Sequence, residues 1–162
     1  MRLLSVLATL VLVAACASKP PVSLEGADLA LRPQQVLDDF DSVRGNRVAW
    51  GGVIVATDNL AEHTRIEVLS YPLNNSTARP KTENAAQGRF IIRQPGYLET
   101  VDYAPGRTVT VSGTLTEVES GTIGEKAYLY PVVHADELHL WKTESDQEQS
   151  NIHFGIGIVI TN

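Results

Sequence analysis

Residues 107–118 read RTVTVSGTLTEV, and they carry the clearest alternation in the chain. Val109, Val111 and Leu115 occupy every second position, with Thr108, Thr110, Ser112, Thr114 and Thr116 between them. A period of two, rich in β-branched residues, belongs to a strand that buries one face and leaves the other polar. The valines and the leucine are therefore expected to point into a core. The threonines and the serine are expected to point out.

The same period recurs on both sides. Asn46–Thr57, NRVAWGGVIVAT, sets Val48, Trp50, Ile54 and Ala56 on one face, and Gly51-Gly52 permits a bulge or sharp coil in mid-strand. Thr64–Leu73 opposes Ile66 and Val68 to Arg65, Glu67 and Leu69, and Gly88–Arg93 opposes Phe90 and Ile92 to Arg89 and Arg93. Tyr128–Trp141 supplies a last strand or strand pair. Between these runs, residues 74–87 are polar, contain Pro80 and read as a long surface loop. Residues 95–103 read as a turn or a single helical turn, closed by Pro105-Gly106. Ahead of the first strand, Pro33 opens a short helix to about Phe40, with Val36, Leu37 and Phe40 as its apolar side. About five strands, with a short helical piece between the third and fourth, predict an all-β domain of OB-like Greek-key type. Closing those strands into a small barrel removes the exposed edges of an open sheet. A β-sandwich is the competing architecture.

The chain opens differently. Arg2 is followed by an apolar run from Leu3 to Ala15, too short to cross the hydrocarbon core as a helix but suited to the h-region of a secretory signal. That run ends in LVAAC, residues 12–16, and Cys16 is the only cysteine of 162 residues. The motif resembles the bacterial lipobox. The resemblance implies cleavage before Cys16, a diacylglyceryl thioether on its sulfur and acylation of the new amino group, chemistry that needs a thiol because a hydroxyl is too weak a nucleophile. Two or more acyl chains hold a protein stably on a bilayer. Ala17 and Ser18 follow the cysteine with no aspartate beside it, and the resemblance to sorted lipoproteins then favours the outer membrane, periplasmic leaflet, over retention at the inner one. Residues 16–31, with Pro20-Pro21, then read as the lipidated cysteine and an extended tether, 32–142 as the barrel domain, and 143–162 as a linker and terminal strand.

Without residues 1–15 about 147 residues remain, enough for one domain with a core of its own. Only Arg2 is lost among the charged residues, so the formal net charge of -6 becomes -7. An acidic surface repels phosphate backbones, which argues against nucleic acid as a partner. Once Cys16 is acylated no thiol is left for a disulfide, and packing alone must hold the fold.

Chemistry is sparse. In VVHADELHLW the odd separation of His134 and His139 places them on opposite faces of a regular strand, while Asp136 shares a face with His134. Neither pairing makes a convincing metal site, and no metal or cofactor is expected beyond the covalent lipid on Cys16. The chain has no G-x-S-x-G elbow and no H-E-x-x-H helix. GTIGEK at 121–126 lacks the G-K-[ST] ending of a phosphate loop and reads as a hairpin turn. Asp38, Asp39 and Asp41 read as a solvated acidic face. No catalytic residue is predicted.

Strung along the strands are WGGVIV at 50–55, IEVLSYPL at 66–73, GRF at 88–90, PGYLE at 95–99, APGRTVTVSG at 104–113, GTIGEKAYLYPVV at 121–133 and LW at 140–141. In this order, behind a lipobox, the series resembles the Slp family of outer-membrane lipoproteins, named for induction in carbon starvation. The resemblance implies an envelope location and a link to starvation or stress. It implies no catalytic activity, leaving a structural, protective or interaction module as the leading reading. A small-ligand or peptide-binding module is the alternative, with Arg65, Glu67, Tyr71, Tyr128 and Tyr130 on strand exteriors as its candidate binding face. The segment 152–161, IHFGIGIVIT, puts Ile152, Phe154, Ile156, Ile158 and Ile160 on one side of a strand. It is expected to pair with an edge of its own domain, or else with an envelope protein or a second copy.

Overall fold

The computed structural model describes residues 19–143, in which a 3-10 turn (Gln35–Leu37) and one turn of helix, α1 (Phe40–Val43), precede five strands. The strands are β1 (Arg47–Asn59), β2 (His63–Tyr71), β3 (Arg89–Pro95), β4 (Thr108–Ile123) and β5 (Lys126–Leu140). They close in the order β1-β2-β3-β5-β4, a small OB-like barrel. All neighbours are antiparallel except β3 and β5, which meet in parallel through Ile91↔Val132, Ile92↔Val133 and Arg93↔His134. Cys16 and residues 152–161 lie outside the described residues.

The alternation that opens β4 decides the interior. Val109, Val111 and Leu115 are fully buried together with Val48, Ile54, Ile66, Val68, Phe90, Ile92 and Val133. Trp50 meets Phe90 edge to face at 5.2 Å and 71°. Each such side chain contributes about 1.5–3 kcal/mol relative to exposure, and no disulfide supplements them within the barrel. Val36 from the 3-10 turn enters the core, with Leu31, Phe40 and Val43 packed against it, so the N-terminal segment closes the end of the barrel where β3 begins. Leu98 and Tyr103 pack on the core where β3 finishes.

The helical expectations need correction. The segment from Pro33 to Phe40 is not one helix, because Asp39 leaves the helical region at φ -150° and ψ 68° and divides a 3-10 turn from α1. Residues 96–107 contain only turns, so no helix lies between β3 and β4. Nor is there a bulge at the glycine pair. Gly51 and Gly52 hold regular register with Tyr71 and Ser70, and the irregularity falls between Ile54 and Ala56. Val55 is the extra residue, and beyond it Ala56 pairs with Glu67 and so faces outward, while Thr57 pairs with the inward Ile66. Gly52 serves close approach instead: a Cβ there would sit 1.9 Å from the Leu69 carbonyl oxygen.

The outer surface of β1 and β4 is covered. The loop after β2 lies on it, held by a bridge between Leu73 and Pro80, and buries Ala78. The Thr110 hydroxyl donates to the Ala78 carbonyl at 2.8 Å and accepts from the Trp141 indole at 2.9 Å. Thr110 and Ser112 therefore face outward as expected and are nonetheless buried, with their hydroxyls satisfied. Residues 22–31, read from sequence as tether, also lie on the barrel. Val22 is buried, the Asp28 amide donates to the Arg47 carbonyl at 3.0 Å, and the Trp50 indole donates to the Leu31 carbonyl at 2.9 Å.

Candidate functional site

Four of the five candidate binding residues come together, because β2, β3 and the β4–β5 hairpin share an outer face. Arg65 is held by Glu119 at 2.7 Å, and Glu67 accepts from Arg89 at 2.6 Å. Arg93 pairs with Glu117 in the same patch. The Tyr128 hydroxyl accepts the Arg89 amide at 3.0 Å, and its ring lies 4.8 Å from that of Tyr130. Tyr130 is 1% exposed and packs with Ile91 and Val132 in a second small core. Its hydroxyl donates to the Thr122 carbonyl at 3.1 Å. Burial, then the charge of Glu67, raises its pKa above the ordinary tyrosine value. With side chains only 20% and 13% exposed, Arg65 and Glu67 have their charges answered within the fold. The patch is a polar clasp over the barrel wall, its ion pairs partly open to solvent.

Tyr71 stands apart, at the end of β2 opposite Gly51. It lines a cleft of mixed character, about 290 Å³, in which Leu24, Leu29, Leu31 and Trp50 stand beside Asn75 and Gln87. A second, polar cleft of about 600 Å³ adjoins it, lined by Gln34, Gln35, Asp38 and Asn84 among others. Arg32, Pro72 and Gln87 belong to both. These walls come from the segment before the 3-10 turn and from the loop before β3, which the Gln34 amide joins by donating to the Gln87 carbonyl at 3.4 Å. Apart from Tyr71, none of them was a sequence candidate, since residues 24–32 and 81–87 carry no periodicity.

The histidines follow the bulges. Ser112 pairs with Glu137 and Gly113 with Ala135, so Asp136 is an extra residue in β5. That bulge overturns the opposite-face expectation, for His134 (opposite Thr114) and His139 (opposite Thr110) both face outward. Five residues of strand still separate them by about 16 Å. Asp136 is taken by Arg47 at 2.6 Å. His139 meets Trp141 edge to face at 4.6 Å, and burial lowers its pKa. Among the described residues no group of three histidine, cysteine or carboxylate side chains gathers as metal ligands.

A family model described as "Outer membrane lipoprotein Slp family" matches residues 13–157. An uncharacterized protein of Haemophilus influenzae is 37% identical over 123 residues, which cover 75% of this chain and 67% of that one. Escherichia coli supplies two relatives: the uncharacterized lipoprotein YeaY, 34% identical over 97 residues, and "Outer membrane protein Slp", 31% identical over 97 residues. Both alignments cover 60% of this chain and about half the length of the relative. Among solved structures, a small single-stranded DNA-binding protein from Streptomyces coelicolor aligns with 60% of this chain and 94% of its own at a TM-score of 0.36 and 17% identity, too loose a superposition to argue from.

Proposed function

Since the chain belongs to the Slp family of outer membrane lipoproteins, we propose that it works as a non-enzymatic module of the cell envelope, anchored through lipid on Cys16 and contributing to envelope integrity under starvation or stress. The observation that carries this reading is the family match, which begins at residue 13 inside the apolar run and takes in Cys16 as well as the whole barrel. The barrel is consistent with such a role. Most arginines among the described residues are engaged by the protein's own carboxylates.

Metabolic labelling with a radioactive fatty acid tests the anchor. The wild-type chain should take up label and fractionate with the outer membrane, and Cys16→Ser should take up none and accumulate as an uncleaved or mislocalised form. Label retained on the serine variant would overturn the assignment.

A further inference from the structure

Eight arginines lie among the described residues, and seven have a partner. Arg44, Arg47, Arg65, Arg89 and Arg93 are paired with carboxylates, Arg79 lies 5.1 Å over the Trp141 ring, and Arg107 donates to the Trp141 carbonyl at 3.4 Å. Arg32 is the exception. Its guanidinium has no ion pair, hydrogen bond or ring contact with any described residue, and it stands at the seam of the two clefts. In an acidic chain a cation left open at a concave site is complementary to an anion, and the planar guanidinium fits a carboxylate in a two-pronged contact.

The walls narrow the ligand. On one side of Arg32 the polar cleft offers the side-chain amides of Gln34, Gln35 and Asn84, each able to donate and to accept. These side chains are exposed and present hydrogen-bonding groups rather than an apolar surface on which an acyl chain could lie. On the other side, Leu24, Leu29, Leu31 and Tyr71 leave room for an apolar side chain, and Leu29 is 45% exposed at its lip. Trp50 forms the floor but is itself buried and hydrogen-bonded to Leu31, so it offers no open face on which a sugar would stack. A single cation beside Asp38 is too little charge for a polyphosphate.

We infer that these clefts bind a short peptide through its free C-terminal carboxylate. Arg32 takes the carboxylate, the amides of the polar cleft pair with the peptide backbone, and an apolar C-terminal side chain enters the cleft beside Tyr71. The site borders the Arg65 patch at Gly88, which lies between Gln34 and the Tyr128 hydroxyl, and it requires neither lipid nor catalysis.

The mature lipidated chain, reconstituted in nanodiscs, would be titrated by calorimetry with N-acetyl-leucyl-leucine, with its C-terminal amide and with N-acetyl-glycyl-glycine. The acid should bind, with a change in tryptophan emission from Trp50. The amide and the glycyl peptide should each bind at least about tenfold more weakly, because one lacks the charge for Arg32 and the other the apolar side chain. Arg32→Gln should remove the preference for acid over amide, and Arg44→Gln, an exposed arginine outside the clefts, should preserve it. The proposal is overturned if acid and amide bind alike, if Arg32→Gln keeps the preference while its amide NMR spectrum stays folded, or if no peptide binds at millimolar concentration.

Discussion

Replacing Gly52 by alanine adds one methyl group and should be among the costliest single changes in the barrel. The new Cβ would lie 1.9 Å from the Leu69 carbonyl oxygen and 2.7 Å from its carbon, both backbone atoms, so no side chain can swing aside. Contacts of this kind are essentially never shorter than 3.0 Å, so β1 and β2 must part there by at least about 1.1 Å. A parting of that size carries the ladder hydrogen bonds around Gly52↔Ser70 and Val53↔Leu69 beyond bonding distance. Overpacking contributes about 1–3 kcal/mol, and each lost hydrogen bond about 1 kcal/mol. The total, about 3–5 kcal/mol, is a large share of the stability of a domain this size. Urea unfolding followed by circular dichroism would report it as a lowered midpoint at similar slope. Gly51→Ala is an informative partner, because its Cβ would meet the Val109 carbonyl oxygen of β4 at 2.7 Å, a milder backbone clash on the other side of β1, and the loop residue Pro80 at 2.9 Å. A Gly52→Ala variant within about 0.5 kcal/mol of the parent would refute the close crossing of β1 and β2.

Burial sets two more expectations. Val111→Ala and Trp50→Ala should each lower stability by about 2–5 kcal/mol as core truncations, the tryptophan also leaving the Leu31 carbonyl without its donor; unchanged denaturant midpoints in both would contradict the assigned interior. Burial lowers the pKa of His139 in the folded state, so the unfolded chain takes up this proton first as pH falls. Its contribution is complete above the unfolded value of about 6.5 and declines as pH drops toward the lower folded value, and His139→Asn should flatten the difference in urea midpoint between about pH 7.5 and about pH 5.5.

The fold's legibility in the sequence divides along a physical line. Strand parity is local, and Val109, Val111, Leu115, Ile66, Val68, Phe90 and Ile92 went to the core as their alternation required. The bulges at Val55 and Asp136 were illegible because an inserted residue leaves no mark on composition, yet each reverses the parity of the strand beyond it. Gly51-Gly52 looked like the place for such a break, but glycine answers equally to a close crossing, and only the partner strand distinguishes the two. The clasp of Arg65, Glu67, Tyr128 and Tyr130 was legible as an outer face. That its charges would answer one another depended on Glu117, Glu119, Arg89 and Arg93 arriving from two other strands. The clefts around Arg32 are built by coil segments, where only the folded backbone brings residues 24–32 and 84–87 together.

The parallel joint between β3 and β5 has only three paired positions, whereas β4 and β5 pair along nearly their whole length. The meander β1-β2-β3 and the hairpin β4–β5 are local and inexpensive to form, but the joint between β3 and β5 spans about 40 residues of chain and must await their docking through β1 and β4. Until it closes, β3 and β5 each present a bare strand edge to whatever else occupies the compartment. Ring closure is therefore the interval of greatest exposure to neighbouring molecules, and crowding among copies would act on that step before any other.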